Sequence, residues 1–348
     1  MSAILQKFLA HENESPSWMD DRRRNTWNHV TRELHCRGLL EENWRPPRFS
    51  PTDGDQIWNK FEEDLWEAVV ALRFGLAGVD VQRAGVQISN VDFRLHSKSQ
   101  TVFAECVSPN LGDVSSAAAP YHAKDSDFKK QTLRASTGES FTVESAEQYD
   151  CGEADVADSA NRRQLRYASA ITAKADGQLT ACGTMMGSAP RILIINSSNL
   201  RHRHISRPPC PTMPTVVASD CVNAVFGGSG IAAFALDSKT NTASGGLHLF
   251  SKEIKKPGTE ALVEREGFLN DSLASVSAIL HNTRQPHCLA ELFFTDRKTF
   301  IDEFDSQSEL ILNPSAKYPL PLHHFIPRQV TVSFDSDRLH YDFSRVAL

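Results

Sequence analysis

The chain has 348 residues, which suits one large domain or a domain with an elaborated end and is enough to bury a sizeable core. A hydrophobic fraction of 40% beside 23% charged residues is ordinary for a soluble globular protein and excludes a fibrous or largely unstructured class. The net charge of −6 supplies no global basic field, so any contact with nucleic acid has to come from local patches.

Cysteines stand at 36, 106, 151, 182, 210, 221 and 288, an odd number with no C-x-x-C pair. Neither a disulfide framework nor a zinc knuckle is signalled, and reduced thiols in a cytoplasmic protein are the simpler expectation. The opening "MSAILQKFLAHENESPSW" has too short an apolar run for a signal peptide. No later run has the length to span a bilayer, so no membrane partner is expected.

In chain order, "WMDDRRRNTWNHVTRELHCRGLLEENW" reads as a helix with Trp27, Val30, Leu34 and Leu39 as a broken apolar stripe, ended by Pro46 and Pro47. "DQIWNKFEEDLWEAVVALRFGLAG" is a stronger helix, with Trp58, Phe61, Leu65, Val69 and Leu72 on one face and Gly75 or Gly78 as its stop. Three strands follow in "VDVQR", "NVDFRLH" and "TVFAECVS". Residues 111–160 are acidic, rich in small side chains and without period, which predicts a mobile surface insertion. Helical spacing returns in "NRRQLRYASAITAKADGQLTACG", and "RILIINSS" has the composition of a strand buried on both faces. "CVNAVFGGSGIAAFALD" suggests a short helix or turn leading into a strand. Further strands are expected in "GGLHLFS", "VSAILHN", "CLAELFF" and "ELILN", a short helix in "RKTFIDEF" and a closing hairpin in "VTVSFDSDRLHYDF". Interleaved helices and strands predict an α/β (α+β) class, a mixed central sheet flanked by helices. The expected organisation is a helical extension over 1–50, a core over 51–235 and an α+β elaboration over 236–348.

The segment "NVDFRLHSKSQTVFAECVSPN", residues 90–110, puts acids where a sheet normally buries Val or Ile. A turn centred on Lys98 and Ser99 pairs Leu95 with Val102 and Phe93 with Ala104, and so sets Asp92 opposite Glu105. Directly opposed residues share a face with Cβ atoms roughly 4.5–5.5 Å apart, where like charges repel. Protonation, solvation or a cation between the acids would relieve that repulsion. A hard divalent cation takes one or two carboxylates, waters and substrate phosphate oxygens.

The order of a helix with Glu, a strand with Asp and a strand with Glu resembles the PD-(D/E)xK superfamily, the restriction-endonuclease-like nucleases. "FEEDLWEAVVALRFGLAGVDVQRAGVQISNVDFRLHSKSQTVFAECVSPN" is similar to the core of restriction-like bacterial proteins that carry an L-W-E helix, a P-D-F strand and a V-E-x-x-x-x-x-P strand. Looser likeness continues through "LRYASAITAKADGQL", "PRILIINSSNL" and "LILNPSAKYPLP". The resemblance implies a restriction-endonuclease-like core and a Mg²⁺-dependent (or Mn²⁺-dependent) endonuclease. Asp92, Glu105 and the backbone carbonyl of Cys106 would hold the metal, with Glu67 assisting. It implies nucleic acid as partner, DNA ahead of RNA, leaves room for a homodimer, and points by association to restriction or anti-phage defence.

Two positions depart from the family pattern: Val91 stands for the usual Pro, and Val107 for the Lys expected two residues after the Glu. That Lys positions or polarises the attacking water and stabilises charge developing on phosphate. Members of the superfamily sometimes carry it on a neighbouring helix. A wheel over "RRQLRYASAITAKADGQL" sets Arg163, Tyr167, Ala170, Ile171, Lys174 and Gln178 on one stripe. If the stripe packs on the sheet, Lys174 points inward and needs a carboxylate partner; the alternative is a lysine whose stem covers apolar surface while its head reaches water. Lys129 and Lys130 are weaker candidates. Glu63 and Glu67 lie away from Trp58, Phe61 and Leu65, which favours solvent, while the L-W-E likeness favours Glu67 at the site.

"RHRHISR", residues 201–207, is the densest basic patch; Arg201 and Arg203, with Arg163 and Arg166 beside Lys174, are candidate phosphate contacts. "FGGSGIA" is neither a Walker A loop nor a nucleophile elbow, because Gly-Lys-Ser/Thr and the second Gly are missing. Two alternatives remain beside the nuclease: a binding module that kept the sheet and lost the lysine, and a hydrolase dependent on Cys106. Strand alternation turns Cys106 away from Glu105 and into the core.

Overall fold

The run Arg191–Asn196 is buried at every position, which a strand achieves only when both faces of its sheet are covered. The computed structural model describes residues 3–9, 19–40, 56–83, 91–97, 100–109, 156–180, 187–200, 215–217, 219–226, 233–237, 242–244, 253–255, 262–264, 267–269, 273–321, 330–335 and 338–342. Helices α1 (Ala3–Phe8), α2 (Asp21–Cys36) and α3 (Gln56–Leu76) precede strands β1 (Asp80–Arg83), β2 (Phe93–Ser97) and β3 (Gln100–Val107). Helix α4 (Val156–Lys174) runs into a π-helical turn, Ala175–Thr180, and leads to β4 (Arg191–Asn196). Then come β5 (Thr215–Val217), α5 (Asp220–Phe226), β6 (Ala233–Asp237), β7 (Thr242–Ser244), β8 (Glu253–Lys255) and β9 (Leu262–Glu264). Strand β10 (Ala278–Asn282), helices α6 (Pro286–Thr295) and α7 (Arg297–Ser306), and strands β11 (Ser308–Leu312), β12 (Val330–Asp335) and β13 (Arg338–Asp342) complete the described elements.

One mixed sheet runs in the order β1-β2-β3-β4-β10-β11-β12-β13-β7-β6-β5, while β8 and β9 pair separately. Strands β3, β4 and β10 are parallel neighbours at its centre, with an antiparallel meander β1-β2-β3 on one side. Alternation along these strands feeds two cores. Ala104, Cys106, Ile192, Ile194, Ala278 and Leu280 pack with α2, α3, α6 and α7. Phe103, Val107, Leu193, Ile195 and Ile279 pack with Tyr167 and Ile171 of α4 and Val222 and Val225 of α5. The α/β class with a mixed sheet between helices is therefore the fold.

Helix α3 carries its burial almost all round: Leu65, Trp66, Ala68, Val69, Val70, Ala71 and Leu72 are at zero exposure. The Trp66 indole Nε1 donates to the Ile194 carbonyl at 3.2 Å and its ring stacks on Phe304 at 5.7 Å. Arg73 clamps α3 to α7 through Nε–Oδ1 and Nη2–Oδ2 contacts of 3.0 and 2.7 Å with the buried Asp305. Gly78, at φ 77°, closes the helix as Val79 N–H reaches back to the Phe74 carbonyl at 3.1 Å, and β1 starts two residues later.

Three expectations change. "CLAELFF" is part of α6: Pro286 starts the helix, and Leu289, Ala290 and Phe293 share its buried face. A seven-residue apolar run fits either period, and neighbouring helices decide it. The expected boundary near 235 has no counterpart in the sheet, since β10 lies beside β4 at the centre and β6 pairs with β7 across that point. Nor are the first residues an appendage, because Phe8, Trp27, Val30 and Leu34 belong to the core under α3. The acidic insertion falls outside the described residues except at its end, where the chain is helical from Val156. "GGLHLFS" lies outside them too. Among the described residues no helix is long and apolar enough to cross a membrane.

Candidate functional site

The β2–β3 pairing runs Phe93↔Ala104, Leu95↔Val102 and Ser97↔Gln100, the register expected from the polar turn. Strand β2 begins at Phe93, so Asp92 sits in the bend just ahead of it, level with Glu105. The two acids are tied crosswise through backbone: Asp92 N–H donates to Glu105 Oε2 at 3.1 Å, and Cys106 N–H donates to Asp92 Oδ2 at 2.8 Å. Each carboxylate thus accepts an amide from the opposite strand, which offsets the repulsion that pairing alone would impose. In an extended strand a residue's carbonyl lies on the same edge as its N–H, so the Cys106 carbonyl faces these acids as well.

The amine comes from the other side of a βαβ crossover. Tyr167 and Ile171 anchor their stripe of α4 in the core at zero exposure, and Lys174, one turn further, extends to Glu105. Its Nζ lies 2.6 Å from Glu105 Oε1; the glutamate side chain is 1% exposed and the lysine 33%. Burial would lower the Lys174 pKa, but the charge and hydrogen bond of Glu105 outweigh it and the ammonium is held above its ordinary value. Burial raises Glu105, and the opposing pull of Lys174 does not cancel it. The helix widens to its π-helical turn directly after Lys174, burying Ala175 and Leu179.

A third carboxylate arrives from the opposite face of the sheet. Glu67 of α3 bonds through Oε2 to Arg83 Nη2, at the end of β1. The same guanidinium reaches Asp92 Oδ1 through Nη1 at 3.3 Å and lies over the Phe93 ring, 4.8 Å from its centroid. Burial, and then the charge of Asp92, push Glu67 up to about 7; Arg83 works against both. Asp92 is likewise pushed up to about 7, by burial first and by the charge of Glu105 second. Two of three acids therefore change charge near neutrality, a property concentrated at sites that handle protons or cations.

Asp92, Glu105 and the Cys106 carbonyl are hard oxygen donors, the residues that could hold a small divalent cation such as Mg²⁺. Among the described residues no group of three or more His, Cys, Asp and Glu side chains already converges as a metal cage. The four oxygens of Asp92 and Glu105 meet N–H groups instead, those of Arg83, Cys106, Asp92 and Lys174.

The structure brings together Glu67, Asp92, Glu105, Cys106 and Lys174, as expected. It adds Arg83, which periodicity gave no reason to single out; its one signal was a charge at the end of "VDVQR", next to the hairpin. Arg163 is corrected: its guanidinium is buried and pairs with Asp220 Oδ2 at 2.6 Å, a structural tie between α4 and α5 that is not presented to phosphate. Arg166 is exposed on the same helix. Arg201, Arg203, Lys129 and Lys130 lie outside the described residues, as does the rest of "RHRHISR". Cys106 is buried, and its thiol pKa is pushed well above the ordinary value by burial and the nearby acids, which disfavours a thiolate.

Two other polar clusters stand apart. His281 bonds to Glu309 through Nδ1 and to Ser197 through Nε2, both at 2.8 Å, but all three residues are at zero exposure and bind β4, β10 and β11 together. Nearer the surface, His287 Nδ1 lies 2.6 Å from Oε1 of the buried Glu62, docking α6 on α3. Compared with known proteins, the chain matches no family model, no curated protein and no solved structure.

Proposed function

We propose that the chain is a metal-dependent nuclease of the PD-(D/E)xK kind, hydrolysing phosphodiester bonds of nucleic acid, with DNA the preferred substrate over RNA. The observation that carries this reading is Lys174 Nζ at 2.6 Å from Glu105, on the edge where Asp92 faces the same glutamate. Val107 leaves the motif without its lysine, and an amine from α4 supplies the equivalent charge.

Asp92, Glu105 and the Cys106 carbonyl would hold the cation. Bound there, a divalent ion supplies a more acidic water and polarises the scissile phosphate. Lys174 carries the charge that stabilises the phosphorane-like oxygens as negative charge grows on them. Glu105 holds the ammonium in place, and the exposed Arg166 of the same helix would contribute positive charge toward the nucleic-acid backbone. A cytoplasmic setting and a role in restriction or anti-phage defence go with this reading.

The test is incubation of wild type and Asp92→Ala with supercoiled plasmid and with single-stranded DNA and RNA, in Mg²⁺, Mn²⁺ or EDTA. Nicking that needs both the divalent ion and Asp92 is expected; nicking that needs neither ends the proposal.

A second reading, a nucleic-acid-binding module without cleavage, draws on Val107 and on Asp92 Oδ1 and Oδ2 both engaged by N–H groups. Binding of duplex DNA with no nicking in any metal would favour it. A hydrolase dependent on Cys106 requires Cys106→Ser to abolish activity that EDTA leaves intact.

A further inference from the structure

We infer that Arg83 is a resident cation that limits this site to a single divalent ion. The inference rests on the nuclease reading and concerns how many ions the site takes. Nucleases and phosphatases often clamp phosphate between two ions about 3.5–4 Å apart, bridged by a shared carboxylate. Glu67, Asp92 and Glu105 make a donor set with enough carboxylates for such a pair, and Asp92 is the acid in the middle. On the Glu105 side of Asp92 stand the Cys106 carbonyl and Lys174. On its Glu67 side stands the Arg83 guanidinium, bonded to Glu67 Oε2 and 3.3 Å from Asp92 Oδ1.

The oxygens a second ion would use are those the guanidinium fork occupies. Arg83 is only 10% exposed, stacks on Phe93 and belongs to a strand paired through Arg83↔Phe93, so it cannot swing aside as a surface side chain does. Charge points the same way. Lys174 and Arg83 already offset two of the three carboxylates, one divalent ion overcompensates the third, and a second would leave a large uncompensated positive charge in a buried place. The guanidinium thus does the neutralising work of the second ion without an exchangeable metal. Glu67 acts through Arg83 and Arg83 positions Asp92, so neither is a ligand in the first instance.

The test is Mn²⁺ titration of the full chain, with bound ion counted by equilibrium dialysis and the coupling between ions read by electron paramagnetic resonance. Wild type is expected to saturate at one Mn²⁺ per chain with an uncoupled signal, and Arg83→Lys likewise. Arg83→Gln, shown folded by circular dichroism, is expected to take two, with an exchange-coupled signal. Wild type saturating at two overturns the inference and leaves the nuclease reading standing, as does folded Arg83→Gln saturating at one. No Mn²⁺ bound by any of the proteins overturns both. The wild-type count is decisive by itself should Arg83→Gln fail to fold.

Discussion

Lys174 and Glu105 are 69 positions apart in the chain, on different secondary-structure elements, and meet as a 2.6 Å ion pair. The glutamate side chain is buried, while the lysine side chain keeps a third of its surface in solvent. Lys174→Ala should therefore reduce plasmid nicking by at least about 100-fold, the scale of removing one group that stabilises developing charge, while Mn²⁺ still binds. Lys174→Arg should recover part of the rate. Unchanged nicking by the alanine variant would remove the lysine from the chemistry.

The raised carboxyls fix a pH dependence. Asp92 and Glu67 sit at about 7 in the fold, above their ordinary range near 4, so the folded chain holds these protons more tightly than the unfolded one. Their contribution to stability is complete below the unfolded range and is lost as pH rises through about 7. Asp92→Asn removes that loss while keeping an oxygen for the Cys106 amide. Its melting temperature relative to wild type should be higher at pH 8.5 than at pH 5, with nicking abolished at both. Wild-type nicking should rise through the same window, as the acids become ionised.

His287 shows the same sign of linkage in a basic group. Burial would lower it, but its bonds to Cys288 and Glu62 raise it to about 10, well above the ordinary imidazole value of 6.5. A raised histidine stabilises fully below its unfolded pKa, and that stability is lost as pH rises through the folded one. Glu62→Gln should cost about 2–4 kcal/mol in urea unfolding at pH 6, because it leaves a partly buried imidazolium without its counter-charge. At pH 10.5 the difference from wild type should nearly vanish. Equal costs at the two pH values would show that the pair is not charged.

Arg73 and Asp305 are both nearly inaccessible and bonded at two points. Asp305→Ala should destabilise by about 3–5 kcal/mol through the stranded guanidinium. The double variant Arg73→Met, Asp305→Ala should recover most of that, since methionine fills the space without a charge. A urea titration of the three proteins measures it; additive losses would mean the two residues act independently.

Much of the site was legible because it is built from local pattern. The β2–β3 register followed from the polar turn at Lys98 and Ser99, and with it the facing of Asp92 and Glu105. The inward aim of Lys174 followed from its place two turns after Tyr167 on a helical stripe. Arg83 was not legible, because its role depends on how β1 pairs with β2 across residues without a period. Arg163 misled for a related reason: it shares a helix with Lys174 but lies roughly three turns away, and Asp220, which pairs with it, comes from a helix 57 positions away. The strand order was also beyond local pattern, since nothing within "VSAILHN" says that it lies beside "RILIIN".

That neighbour relation bears on when the protein can acquire its site during synthesis. Strand β4 is flanked by β3 on one side and on the other by β10, residues 278–282, so a nascent chain that has only reached the end of β4 has an open, apolar strand beside the acids. Until β10 has left the ribosome, the shelf that carries Glu105 is unsupported on one flank. Translation arrested before residue 278 should thus give chains that a protease cuts near β4, and arrest beyond residue 312 should give chains that resist it. On the nuclease reading proposed above, a chain made in this order would complete its site only after most of the polypeptide had been synthesised.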